Sequence, residues 1–197
     1  SAPATNTPLV TVTGTLPEGK IADFLTGKVV NDTPEEYVRQ NLEKALVRQY
    51  RYNPKLCIPE FPIKVGSAKK RVDIAIFDAD AESVLQENTF LLVETKREGI
   101  SPKAKDDGVE QLKVYLSACV NAKYGLWTNG DERFSFVKRI TSKKKIEFEP
   151  IVDIPIFGQT EEDLERPKRR DLMRATGDNL LFAFRRCHNY IAGTEGM

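Results

Sequence analysis

The sequence predicts an α/β domain with a mixed sheet flanked by helices. Three observations predict it. A capped helical segment comes first, and after Asn53-Pro54 the apolar period drops from 3.6 to two. One of the strands that follow, TFLLVETK, is apolar enough on both faces to be central in a sheet. A second helical segment then separates it from a further strand, which is the order of a layered α/β domain.

The elements follow in order. Residues 1–30 form a lead-in with a short apolar run (9–12) and a compact segment, IADFLTGKVV. In NDTPEEYVRQNLEKALVRQY, Thr33 suits the N-cap, Pro34 the first helical position, and Glu36 falls where a capping box needs it. Val38, Leu42, Ala45, Leu46 and Gln49 make a mostly apolar stripe, so a helix is expected over 34–50. Residues 58–65 read as a strand, at an edge because Pro59 and Pro62 lack donors. Residues 66–70 are a turn. RVDIAIF is a strand with Val72, Ile74 and Ile76 on one face and Arg71, Asp73 and Ala75 on the other. DADAES is a turn, TFLLVETK the central strand, and 97–107 a charged loop. Val109, Leu112, Leu116 and Cys119 mark the second helix. YGLWTN is a strand ended by Asn129-Gly130, and RFSFVKRI and KIEFEP are antiparallel strands. Residues 158–178 are charged and linker-like. Leu180, Phe184, Cys187 and Ile191 suggest a last helix. The expected division is a lead-in at 1–30, a domain at 31–157, and a linker with a helix at 158–197.

Composition narrows the function. Lys+Arg number 30 and Asp+Glu 29 in 197 residues, which excludes a histone-like or acidic-tail protein but allows a local basic stripe. No run approaches the roughly 18 apolar residues of a membrane span. SAPATNTPLV lacks the regions of a secretory signal. Cys57, Cys119 and Cys187 are odd in number and far apart, as buried thiols of a reducing compartment would be, so a cytoplasmic location is expected. The single histidine, His188, starves triads and His-rich zinc sites of parts. The first residue is Ser, not Met, and a piece of a longer protein is expected.

The sharpest chemical signal is Asp73 on one strand and Glu94-Thr95-Lys96 on the next. Glu94, Lys96 and Leu92 share a face; Leu91, Val93 and Thr95 take the other. A Glu and a Lys near the end of an apolar central strand are costly to bury without a purpose. If the two strands pair, Asp73 lies beside Glu94. Two such carboxylates repel unless a divalent cation sits between them, and oxygen ligands favour magnesium. Lys96 can then orient or deprotonate a water, or stabilise charge on a phosphoryl oxygen. The plainer reading is a salt-bridge ladder at a strand end. Glu18-Gly19-Lys20 is a second Glu-x-Lys, without that setting.

The Asp…Glu-x-Lys pattern resembles the PD-(D/E)XK nuclease superfamily. DFLTGKVVNDTPEEYVRQ, PEFPIKVGSAKKRVDIAIF, FLLVETKREG, DDGVEQLKVYLSA and KYGLWTNG, over most of 23–130, are similar to the N-terminal domain of type I restriction enzyme R (HsdR) proteins and related methylase-fused restriction proteins. LLFAFRRCHNYI is similar to segments that lead into a following domain there. The resemblance implies a restriction-endonuclease-like sheet with an αβββαβ core. It implies Asp73 and Glu94 as metal ligands and Lys96 as the catalytic lysine, although Val72 stands where the literal motif has Pro. It also implies that Gln111 and Tyr115, one helical turn apart, sit near the site, with Gln111 supporting it and Tyr115 contacting DNA.

Other candidates are set aside. Glu36 resembles a first-helix glutamate of the family but reads as part of the capping box, Glu43 as a solvated helix residue, and Glu60 as an exposed strand residue. Lys69, Lys70 and Arg71 lead into the Asp73 strand and form the favoured phosphate-binding cluster. Lys138-Arg139 with 143–145, and Arg166 with 168–170, are lesser clusters. Gly14, Gly19 and Lys20 have P-loop spacing, but Ile21 stands where Ser or Thr should hold magnesium and Pro17 removes a donor. His188 reads as a helix-end or core residue and Trp127 as core.

The expectation is a magnesium-dependent endonuclease domain acting on double-stranded DNA, with manganese as a possible substitute. Methylase, specificity or helicase domains or subunits are expected partners, and a homodimer is an option. The alternative is a nuclease-fold module that binds DNA or a partner without cutting, or serves assembly alone.

Overall fold

The computed structural model describes residues 15–78 and 83–164. Strands β1 (Lys20–Ala22) and β2 (Val29–Asn31) form a small antiparallel hairpin. Helix α1 (Pro34–Arg48) follows. Then come β3 (Cys57–Val65), β4 (Ala68–Phe77) and β5 (Thr89–Thr95), helix α2 (Val109–Ala118), and β6 (Tyr124–Thr128), β7 (Arg133–Ile140) and β8 (Ile146–Ile151). The expected order of elements is therefore present. The β1–β2 hairpin in IADFLTGKVV was not expected. Its Gly19 turns at φ +69 into a strand, not into a helix, so the P-loop spacing there is incidental.

Strands β3 to β8 form one six-stranded sheet in sequence order. All neighbours are antiparallel except β5 and β6, which are parallel and joined through α2. Strand β3 lies at the edge, as Pro59 and Pro62 require, and β5 lies inside. No helix among the described residues is long and apolar enough to cross a membrane.

Each face of the sheet has its own core. On the α1 face, Leu42 and Leu46 pack with Phe24, Ile74, Ile76, Leu91, Val93 and Leu126. On the α2 face, Leu112 and Leu116 pack with Val72, Ala75, Phe77, Leu92 and Trp127. Burying each such large side chain contributes roughly 1.5–3 kcal/mol. Gly125 lets α2 close down on β6, because a Cβ there would press into Leu116 and Leu112. Lys138, buried on β7, donates to the carbonyls of Leu116, Cys119 and Val120 at 2.9, 2.6 and 2.9 Å. It thus caps the C-terminal end of α2, where a cation is favoured.

One strand expectation needs correction. Val72 does not share a face with Ile74 and Ile76; it belongs to the α2 core with Ala75 and Phe77. The side-chain alternation breaks at Asp73. Across from it, Pro59 pairs with Ile74 and Phe61 with Val72, while Glu60 and Asp73 form no ladder pair. Glu60 sits at φ +52, a conformation that costs a non-glycine residue about 1 kcal/mol or more. That local twist switches faces on both strands.

The expected apolar run at 9–12 and the helix near 180–191, with Cys187 and His188, lie outside the described residues. So do the Arg166 cluster, the linker from residue 165 on, and the middle of the turn at 78–83.

Candidate active site

Asp73 lies where the β4–β5 ladder stops. The ladder pairs Ile74 with Val93, but the next residues exchange side-chain bonds instead. The Asp73 amide donates to Glu94 Oε1 at 3.3 Å, and the Thr95 amide donates to Asp73 Oδ2 at 2.6 Å. Thr95 Oγ1 adds a bond to the same oxygen at 2.9 Å. The two strands are thus joined past the end of the ladder by their own side chains. Asp73 Oδ1 accepts no hydrogen bond among the described residues.

Leu92 lies on the α2 face and Val93 on the other, and Glu94, beside Trp127 and within the field of Tyr115, goes with Leu92. Lys96 Nζ donates to Glu94 Oε2 at 3.2 Å. Two further carboxylates surround that ammonium: Glu35 Oε1 at 3.6 Å and Asp107 Oδ1 at 3.9 Å. Burial, then the charge of Asp73, push Glu94 up to about 8, against the lowering effect of Lys96. Burial disfavours the Lys96 ammonium, but Glu94, Asp73 and Glu35 outweigh that and hold its pKa above the usual lysine value. Glu35 is raised by burial and by Asp73, against Lys96.

The flanking loop is held from below. Trp127 Nε1 donates to the Asp107 carbonyl at 2.9 Å, and Asn129 Nδ2 to the Ile100 carbonyl at 2.9 Å. The Lys96 amide donates to the Thr128 carbonyl at 2.8 Å. These bonds fix residues 97–107 against β6 and bring Asp107 to Lys96.

On α2, Gln111 Nε2 donates to the Tyr115 hydroxyl at 3.0 Å, while Gln111 Oε1 is buried without a partner. Burial and then the Glu94 charge raise the Tyr115 pKa, so its hydroxyl lies within the field of the carboxylates. The pair therefore lies near Glu94, with the Gln111 amide bonded to the Tyr115 hydroxyl. Lys69, Lys70 and Arg71 are exposed on the first half of β4. Arg71 is engaged by Glu60 at 3.3 Å, and Lys69 stands opposite Lys64. Lys138 is spent on α2, and Arg139 pairs with Glu149 and Glu161, so neither is free for phosphate.

Sequence reasoning missed Glu35 and Asp107 and misjudged Glu43. Glu36 caps α1 only through its amide, which Thr33 Oγ1 accepts at 3.1 Å. Its carboxylate turns to Arg39 at 2.7 Å and Gln40 at 3.0 Å. Glu43 is not solvated: it is fully buried and neither carboxylate oxygen has a hydrogen-bond partner of good geometry. Glu60 is half exposed, between Arg39 and Arg71.

The donor set suits a hard divalent cation. Asp73 and Glu94 offer oxygens from adjacent strands, and one oxygen of Asp73 is uncommitted. No group of three or more His, Cys, Asp or Glu side chains among the described residues is arranged to hold a metal ion. Two carboxylates with water or phosphate completing the shell is a habit of magnesium.

A mixed sheet between two helices, with an Asp and a Glu-x-Lys where the ladder between two adjacent strands stops, defines the chain as a restriction-endonuclease-like domain. A family model described as type I restriction enzyme R protein N terminus (HSDR_N) matches residues 34–155, more than half of the chain. The chain belongs to that family. Comparison with curated proteins and with solved structures returns no match.

Proposed function

We propose that this domain hydrolyses phosphodiester bonds in double-stranded DNA with magnesium, as a PD-(D/E)XK nuclease. The observation that carries the reading is the crossing of two bonds at the end of the ladder, Asp73 amide to Glu94 and Thr95 amide to Asp73, with Lys96 on Glu94. Asp73 and Glu94 would hold the ion, with manganese as a substitute. Bound there, magnesium supplies positive charge to a phosphoryl oxygen and lowers the pKa of a water. Lys96, kept as an ammonium by Glu94, Asp73 and Glu35, orients the attacking water and offsets charge that develops on the phosphate. It does so as a donor, not as a base. Glu35 and Asp107 hold its Nζ in place. Tyr115, steadied by Gln111, points its hydroxyl toward the same field. Lys69 and Lys70 offer phosphate contacts on the approach, and each should contribute about 0.9 to the slope of log affinity against log salt.

Family membership supports the reading and suggests that methylase, specificity or helicase partners govern cleavage. The test therefore has two parts. Plasmid with magnesium should be nicked or linearised, and Lys96→Ala should abolish that; an equally active Lys96→Ala protein would remove the role. Calorimetric titration with manganese reads the ligands without partners. Asp73→Ala with Glu94→Ala should lose the binding that the native chain has. Salt-dependent DNA binding with no metal uptake would favour a non-cutting module.

A further inference from the structure

A cleft of about 420 Å³ opens beside Lys96, lined by Pro34, Tyr37, Val38, Arg97 and Glu98. That lies within the roughly 300–1,000 Å³ of ligand-holding clefts. Both walls continue directly from the candidate site. Glu35 is two residues before Tyr37 on the first turn of α1, and Lys96 is the residue before Arg97. The 3.6 Å approach of Lys96 Nζ to Glu35 ties the walls together at one end. Val38, buried, closes the floor, and Gly130 at φ +95 lets the β6–β7 turn come close to both Val38 and Glu98.

The chemistry of the lining is unspent. Tyr37 is 63% exposed, and its hydroxyl has no hydrogen bond among the described residues. Arg97 is exposed and makes no ion pair among the described residues. Glu98 is an exposed acceptor. A flat ring, a cation and a carboxylate are the three groups that a single nucleotide uses. A ring stacks on any base, an arginine meets a phosphate, and a carboxylate accepts from an exocyclic amine such as cytosine N4. The carboxylate would repel a free phosphate, so the amine-bearing edge of a base is the better match for that wall.

We propose that the cleft receives one unstacked nucleobase of the DNA strand next to the bond to be cut. The base stacks on Tyr37, its amino group faces Glu98, and Arg97 takes the adjoining phosphate. The proposal rests on the hydrolytic reading and names where the flanking nucleotide goes. Unstacking is easiest in a single strand or at a mismatch. Single strands and mismatched duplexes should therefore bind better than paired ones.

The test uses the whole chain, without divalent ions, and end-labelled oligonucleotides read by fluorescence anisotropy. Tyr37→Ala should weaken single-strand binding about fivefold or more, and Tyr37→Trp should restore it. Glu98→Gln should shrink the preference for cytosine over thymine beside the cut. Thermal melting of Tyr37→Ala should match the parent, since the ring is exposed. Unchanged affinity in Tyr37→Ala overturns the proposal while leaving the hydrolytic reading intact. A parent chain that binds no DNA at low salt sinks both. Tyr37-dependent binding by a chain that takes up no manganese in calorimetry keeps the cleft and sinks the hydrolysis.

Discussion

Two regions of this molecule bury carboxylates around a single cation, yet they differ in kind. Where the β4–β5 ladder stops, Glu94 and Asp73 face Lys96; on the inner side of α1, Glu43 and Asp23 face Arg39. Both glutamates are driven up to about 8, in each case by burial first and a neighbouring Asp second. The cations separate them. Arg39 forks between Asp23 at 3.1 Å and Glu36 at 2.7 Å, with Glu60 at 3.7 Å, inside the fold. Lys96 is a point charge beside an open cleft, among carboxylates at 3.2 to 3.9 Å. A planar fork suits a fixed network, and an ammonium suits a group that must turn toward a substrate. A shifted acid is therefore poor evidence of a site by itself. Access, and how far the partner cation is already spent, decide.

The comparison breaks most visibly on truncating each cation. Arg39→Ala strands Asp23 and Glu36 and should cost about 3–5 kcal/mol in urea unfolding. Lys96→Ala should lower cleavage by about a hundredfold or more while costing far less stability, because Glu94 readily takes a proton instead. Equal destabilisation by the two variants would make them one kind of network.

The second test uses pH. Glu43 keeps in the folded state a proton that the unfolded chain releases above its ordinary value of 4.5. Its contribution is thus fully present below about 4.5 and is lost as pH rises to about 8, by at most about 1.4 kcal/mol per pH unit. In Glu43→Gln the urea midpoints at the two ends of that range should move closer together. Midpoints as far apart as in the parent would show that Glu43 does not carry the loss.

Glu94 has the same sign, but a cation can offset it. Near the upper end of that range, magnesium at a hundred times its dissociation constant should add about 2.7 kcal/mol to the parent and to Glu43→Gln. Glu94→Gln should gain much less, as read by thermal melting. The smallest effect tests what the regions share. Thr33→Ala removes the cap of the helix that carries both Glu35 and Glu36, and should cost about 1 kcal/mol.

Much of this was legible in the chain. Thr33-Pro34 started α1, the prolines put β3 at the edge, and period-two alternation put Glu94 on the face of Leu92. Glu35 was not legible, because capping logic singles out Glu36, whereas docking of α1 on the sheet decides which first-turn acid reaches Lys96. Glu43 was misread because nothing announced the β1–β2 hairpin, whose connection lays Asp23, Phe24 and Leu25 over α1. The face of Val72 was misread because alternation assumes regular backbone, and Glu60 departs from it.

The indole bond to the Asp107 carbonyl has an optical consequence. The chain has one tryptophan, so its ultraviolet emission reports from a single address, under the segment that borders Lys96. If that segment lifts when a nucleic acid enters, water replaces the carbonyl and the emission moves to longer wavelength. The protein carries its own label for watching that entrance in a stopped-flow cell.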